Sequence, residues 1–232
     1  MRADNYPLHD NIHYADAYRN IEASRKSLLN DKSVIDVLDL GAGSRHTQGT
    51  TRKIADITRH SLSDSRYGQL YQRTVAHYQC EYVLELGTSL GINAMYLATS
   101  GAHVTTIEGS PELASRAAAM HERQQMKNVN VVCGNLDHVL PGIVDQMPRI
   151  DFAFLDANHR FTPTLQYFHT IVSKIHDRSI VVLDDIHDSD EMQNAWNEIK
   201  NHPRTKATAD LFRCGFVFFE PSLNSQHFVL QI

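Results

Sequence analysis

The stretch Tyr82–Gly109, YVLELGTSLGINAMYLATSGAHVTTIEG, constrains this chain more than any other. It reads as a buried strand, a glycine turn, a helix, and a second strand ending in the acid Glu108. That order is the front half of a nucleotide-binding α/β unit. A look-alike lies upstream at Val37–Ser44, VLDLGAGS. Two tests separate them. A working loop leads into an amphipathic helix whose N-terminus faces the ligand, and a strand ending in an acid follows about 20 residues on. The sequel to the first loop, SRHTQGTTRKI, is polar, lacks a helical apolar stripe and contains Gly49. VLELGTSLGINAMYLA passes both tests, with Ile92, Met95 and Tyr96 as the stripe and Glu108 closing the next strand.

Around this unit the patterning is regular. Strands are expected at Tyr82–Leu86, His103–Glu108, Val129–Cys133, Ile150–Leu155, Ser179–Asp184, Thr205–Leu211 and Gly215–Glu220. Helices are expected between them, at Gly91–Ser100, Pro111–Met126, Leu136–Gln146, Thr162–His176 and Asp190–Asn201. Strict alternation of the first five strands with helices implies a mainly parallel sheet covered on both faces. The link Phe212-Arg213-Cys214 is too short for a crossover helix, so the last two strands should pair antiparallel. Gln226–Ile232 is a candidate edge strand. Ahead of the core, helices are expected near Ile12–Leu29, at Ile54–His60 and at Tyr67–Tyr78.

Composition narrows the function classes. The chain has 232 residues, 42% of them hydrophobic, enough for one domain with an elaboration. A formal charge of −5 gives no global basic field for nucleic acid. The start of the chain has no apolar signal segment, and no run reaches the ~20 residues that would cross a bilayer. Cys80, Cys133 and Cys214 form no CxxC, which fits a reducing cytoplasm. The fourteen histidines are scattered without zinc spacing.

The loop spacing Glu85-Leu-Gly87-Thr-Ser-Leu-Gly91 departs from GxGxxG, because Thr88 and Ser89 stand where a pyrophosphate wants bare backbone. A dinucleotide-dependent oxidoreductase is therefore disfavoured. ELGTSLG, the acid Glu108 after VTTI, Cys133-Gly134-Asn135 and IDFAFLDANHR together resemble the motifs of class I S-adenosylmethionine (SAM) dependent methyltransferases, over roughly Tyr67–Glu220. The resemblance implies an α/β fold: a Rossmann-like seven-stranded, mostly parallel sheet with an antiparallel last strand, helices on both faces and an N-terminal helical cap. It implies that Gly87 and Gly91, with Thr88 and Ser89, pass close to the methionine part and sugar of SAM. Glu85 would meet its ammonium, Glu108 the ribose hydroxyls, and Gly134 and Asn135 the adenine, with Asp137 as a substitute for Asn135.

The fourth and fifth strands end in LDANHR and LDDIHD. In an open parallel sheet these ends face the ligand crevice. Asp156, Asp184 and Asp185 would converge there, and like charges that close need a proton or a cation. Oxygen ligation suits Mg²⁺, Mn²⁺ or Ca²⁺. The pattern resembles the metal-dependent O-methyltransferases of the catechol and caffeoyl-CoA type. That resemblance implies Asp156, Asp184 and Asp185 as metal ligands, Asp185 standing where the family has Asn. His159, three residues after Asp156, occupies the place of a catalytic lysine, and His187 is a rival base or ligand. Helix capping and solvation are the plainer roles for these acids.

The division expected is an N-terminal helical cap or lid over residues 1–65 and a methyltransferase domain over 66–232. GAGSRHTQGTTRK would be the lid, with Arg45, Arg52 and Lys53 toward an anionic group, or else a structural loop or a homodimer contact. The expected reaction is methyl transfer to a small hydroxylated acceptor. A tRNA-modifying enzyme and a SAM-binding protein without catalysis are the alternatives.

Overall fold

The computed structural model describes residues 14–38 and 50–231. In chain order the elements are α1 (Ala15–Asn30), β1 (Val34–Asp36), β2 (Thr51–Lys53), α2 (Ile54–His60), α3 (Ser65–His77), β3 (Tyr82–Leu86), α4 (Ile92–Ala98), β4 (His103–Glu108) and α5 (Pro111–Arg123). They continue as β5 (Val129–Cys133), α6 (Leu136–Gln146), β6 (Ile150–Leu155), α7 (Phe161–Val172), β7 (Ile175–Asp184), α8 (Asp190–Lys200), β8 (Ala207–Asp210), β9 (Cys214–Phe218) and β10 (Gln226–Val229).

The main sheet has the order β10-β8-β9-β7-β6-β3-β4-β5. Strands β3 to β7 pair parallel, and β9 runs antiparallel between β7 and β8. The expected doubly covered α/β sheet is present, with one addition: β10 pairs parallel to β8 and makes an eighth strand. Successive residues of a strand face opposite sides. Leu84, Leu86, Ala153, Leu155, Val181 and Leu183 pack under α6, α7 and α8. Val83, Phe152, Phe154, Ile180 and Val182 pack under α3 and α4 around Tyr71, Val75, Ala94 and Leu97. Glu85 shares the parity of Val83, so its carboxylate is driven into the second layer and fully buried.

Several boundaries differ from the periodicity, and α7 ends at Val172 where the helix was expected to run to His176. Strand β7 begins at Ile175 rather than Ser179, because Ile175 pairs with Ile150 across an irregularity in register. The polar His176-Asp177-Arg178 inside it hides the strand from an apolar count. The segment before the core is also not wholly helical, since β1 and β2 form an antiparallel pair, Ile35 opposite Arg52. Residues 39–49, most of the expected lid, lie outside the described residues. The N-terminal elements seat on the core through Ile21, which packs with Ile92, Met95, Tyr96 and Met120. Ile35, Val37, Ile54 and Ile57 pack on Leu90 and Leu113. Among the described residues no helix is long and apolar enough to cross a membrane.

At the amino end of the parallel strands Asp151 is a structural clamp. Its Oδ2 accepts from the backbone N–H groups of Glu81 and Tyr82, both at 2.8 Å, and its Oδ1 accepts from Arg149 at 2.7 Å. The chemistry gathers at the other end.

Candidate active site

The turn after β3 is shaped by contact with the end of β6. Gly87 has φ +95°, and a Cβ there would lie 2.0 Å from the backbone oxygen of Asp156. Only glycine lets these two loops meet. At Gly91, which precedes α4 with φ +79°, a Cβ would run into His121 Nε2 at 2.6 Å. Protein neighbours therefore fill the space beside both glycines.

Three acids follow from strand ends β3, β4 and β6. Glu85 is buried; its Oε1 accepts from Asn93 Nδ2 at 2.8 Å and its Oε2 from Thr106 Oγ1 at 2.5 Å. Burial pushes its pKa up to about 7 against those hydrogen bonds. Thr106 also bonds Thr88 at 2.6 Å, so Glu85 stands one side chain behind the loop rather than in the open. Glu108 accepts from Ser89 N at 2.8 Å and Ser110 N at 2.9 Å. Burial raises its pKa, against these backbone donors. These donors do not fill the four lone-pair positions of the carboxylate. Asp156 pairs with His159 Nε2 at 3.3 Å.

A cleft lies between Gly87, Thr88, Ser89, Asn93 and Asp156 on one side and Arg25, Ser61, Leu62 and Ser63 on the other. The N-terminal elements thus line the same cleft as the glycine loop. At the end of β5, Asn135 caps α6, its side chain accepting from Asp137 N at 2.9 Å. Asp137 in turn accepts from Tyr167 Oη at 2.7 Å. Gly134 packs against Val139, which a Cβ would approach to 2.6 Å.

His159 sits in a turn where Asn158 and His159 have φ of 68° and 49°. Burial alone would lower its pKa. The hydrogen bond and charge of Asp156, with Asp185 and Asp184, overcome that and raise it to about 9. Its other ring nitrogen, Nδ1, is buried without a hydrogen-bond partner. His187 is engaged elsewhere, with Asp210 at 2.8 Å.

Asp156, His159 and Asp185 can each bring one ligand atom within 4.8 Å of the others. Asp184 does not join them. It is fully buried, and both its oxygens are held by Arg213, Nη2 at 2.8 Å and Nε at 3.3 Å. Burial and the Asp156 charge push Asp184 up, against the pull of Arg213. The guanidinium also lies 3.9 Å from Asp185 and donates to Ser63 Oγ at 3.4 Å. The expected Mg²⁺, Mn²⁺ or Ca²⁺ site needed three carboxylates. The described residues offer two and an imidazole, beside the fixed positive charge of Arg213, which opposes a divalent cation at this place.

Arg213, Asn93, Thr106 and Arg25 were not singled out by the sequence. For Arg213 a signal existed. It lies in the short link before the antiparallel strand, and Cys214 pairs with Asp184 in register. A basic residue just before that strand must stand beside the acids that end β7.

Residues 84–186 match the family described as Methyltransferase domain. Among solved structures, the O-methyltransferase from Bacillus cereus in complex with SAH has a TM-score of 0.64 at 17% identity, covering 88% of this chain and 90% of that one. The SAH-bound Podospora anserina methyltransferase PaMTH1 has a TM-score of 0.65 at 13% identity, covering 94% and 100%. The SAM complex of the O-methyltransferase TomG from Streptomyces achromogenes, involved in tomaymycin synthesis, has a TM-score of 0.59 at 18% identity, covering 69% and 82%. A curated Staphylococcus epidermidis protein named an uncharacterized RNA methyltransferase is 24% identical over 136 residues, 57% of this chain. The chain spans 29% of that relative's length. With the strand order, the glycine turn and the acid at the end of β4 already in place, the chain has the fold of these methyltransferase structures, and residues 84–186 match the methyltransferase-domain family.

Proposed function

We propose that this protein transfers the methyl group of SAM to a hydroxyl oxygen of a small acceptor, with catechols and phenols as the first candidates. The observation that carries the reading is His159: one nitrogen is held by Asp156, and the other is buried without a partner in a strained turn beside the cleft. An unpaired buried polar atom calls for a partner, and on this reading the reactant supplies it.

On this reading each site residue takes a role. Glu108 accepts from the ribose hydroxyls with its remaining lone pairs, and Gly134 and Asn135 flank the adenine. Glu85 supplies a negative charge behind the methionine end. Thr88, Ser89 and Asp156 line that end from the core, with Arg25, Ser61 and Ser63 from residues 1–65 acting as the cap. In the step itself the acceptor oxygen attacks the methyl carbon in line and the carbon–sulfur bond breaks. The sulfur keeps the electron pair as S-adenosylhomocysteine, and the hydroxyl proton passes to His159. Alignment of the two reactants is worth up to ~7–11 kcal/mol. His159 must be neutral to act as base, and a sulfonium placed beside Asp156 opposes the charge that keeps it protonated. No step here runs through a divalent cation.

A second reading has the Staphylococcus epidermidis relative's RNA methyltransferase name behind it. The two are separated by incubating the protein with labelled SAM and, in parallel, a panel of catechols and phenols or bulk tRNA. Adenosylhomocysteine formed with a small hydroxylated acceptor is the expected result. Label transferred to tRNA alone would overturn the proposal.

A further inference from the structure

We infer that Arg213 is the resident cation of this site, standing where a divalent ion would otherwise neutralise the strand-end carboxylates. The inference deepens the methyl-transfer reading above and leans on it only for its consequence in turnover.

Asp184 has no exposure to solvent, and a lone carboxylate there would be very costly. Arg213 grips both of its oxygens in the forked geometry that a guanidinium offers and an ion cannot. The same group lies 3.9 Å from Asp185. His159 meets the third acid, Asp156. Each carboxylate of the cluster thus has a protein partner. The placement is not incidental to the fold. Strand β9 starts at Cys214 opposite Asp184, so the residue before it is fixed at the end of β7. The guanidinium is further held over the Tyr67 ring at 5.7 Å and by Ser63, which lines the cleft. Arg213 is therefore a positioning residue. It holds the carboxylates and ties them to the segment that closes the cleft, and it repels any divalent ion approaching Asp156 and Asp185.

The test is Mn²⁺ binding, followed by electron paramagnetic resonance and by the thermal shift of the cofactor-free protein, together with turnover in EDTA. Wild type is expected to bind no Mn²⁺ at millimolar metal and to lose no activity in EDTA. Arg213→Met is expected to bind Mn²⁺ at least about tenfold more tightly than wild type, since a unit charge has been removed a few ångströms away. Arg213→Lys, which keeps the charge, should gain none. Should Arg213→Met not fold, the pair Asp184→Asn and Arg213→Met removes both buried charges and leaves Asp156, His159 and Asp185 to show the same gain. Mn²⁺ bound by wild type and released by Asp185→Asn would overturn the inference. So would a failure of both Arg213→Met and the Asp184→Asn, Arg213→Met double variant to gain metal. Because binding is read without an acceptor, an absence of turnover would count against the proposed function and leave the Mn²⁺ result to decide on Arg213.

Discussion

Glu85→Gln should make the cofactor-free protein more stable and the cofactor complex weaker. The carboxylate is buried, and its pKa of about 7 stands above the ordinary 4.5. The cause is burial, opposed by the Asn93 and Thr106 hydrogen bonds. For an acid raised in the folded state, folding takes up a proton between those two values. Wild-type stability therefore falls as pH rises from 4.5 to about 7, and above that it carries the whole penalty. The difference corresponds to about 3 kcal/mol. Glutamine is nearly isosteric and cannot ionise. Its oxygen can still accept from Asn93, and Thr106 can turn its hydroxyl to accept from the new amide.

The assay is chemical denaturation of both proteins from pH 5 to 8.5, with calorimetric titration of SAM at each pH. Glu85→Gln is expected to match wild type near pH 5 and to exceed it by up to about 3 kcal/mol at pH 8. A cationic cofactor beside Glu85 returns the carboxylate toward its ordinary ionisation and can recover no more than that amount. SAM affinity should then rise with pH in wild type. In Glu85→Gln it should stay flat, with a loss of up to about two orders of magnitude in Kd at pH 8. A variant less stable than wild type at pH 8, or a SAM affinity with the same pH slope in both proteins, would show that the buried anion is already satisfied by the fold.

Three further outcomes follow from single side chains. With His159 protonated up to about pH 9 in the free protein, kcat/KM should climb with pH until that value, and His159→Gln should flatten the profile while leaving SAM affinity within about threefold. Asp151→Ala strands two backbone N–H groups and should cost about 3 kcal/mol in denaturant unfolding, with Asp151→Asn costing less because one acceptor oxygen remains. Phe212 is 77% exposed at φ 68°, so Phe212→Asn should stabilise the protein by about 1 kcal/mol in thermal unfolding.

The parallel half of the sheet was legible because its strands are buried on both faces and read as continuous apolar runs between helical stripes. The short strands of the N-terminal segment were not, since three residues such as Val34–Asp36 carry no period to count. At the site, the acids of LDANHR and LDDIHD were plain in the sequence, as was the histidine next to Asp156. Their division of labour was not. Asp184 and Asp185 are neighbours, yet strand parity sends Asp184 beneath α3 toward Tyr71 and leaves Asp185 beyond the strand with φ 53°. The partner that decides Asp184's role is 29 residues away and is found only through the register of an antiparallel strand.

The distribution of backbone strain supports the same location for the chemistry. Ser89, Asn158, His159, Asp185 and Phe212 all have positive φ without being glycine. They follow β3, β6 and β7 or precede β9, which runs antiparallel and so begins at the same end of the sheet. The two remaining cases, Gln79 and Gln125, follow the ends of α3 and α5, where a left-handed residue is an ordinary way to stop a helix. Each strained residue costs on the order of 1–3 kcal/mol. A fold that needed only its core could use glycine at these turns and be more stable. What the strain achieves is aim: Ser89 turns its N–H to Glu108, His159 turns its ring to Asp156, and the bend at Phe212 delivers Arg213 to Asp184. The strained turns and the paired charges are therefore one arrangement, and changing a strained residue should alter reactivity before it alters the fold.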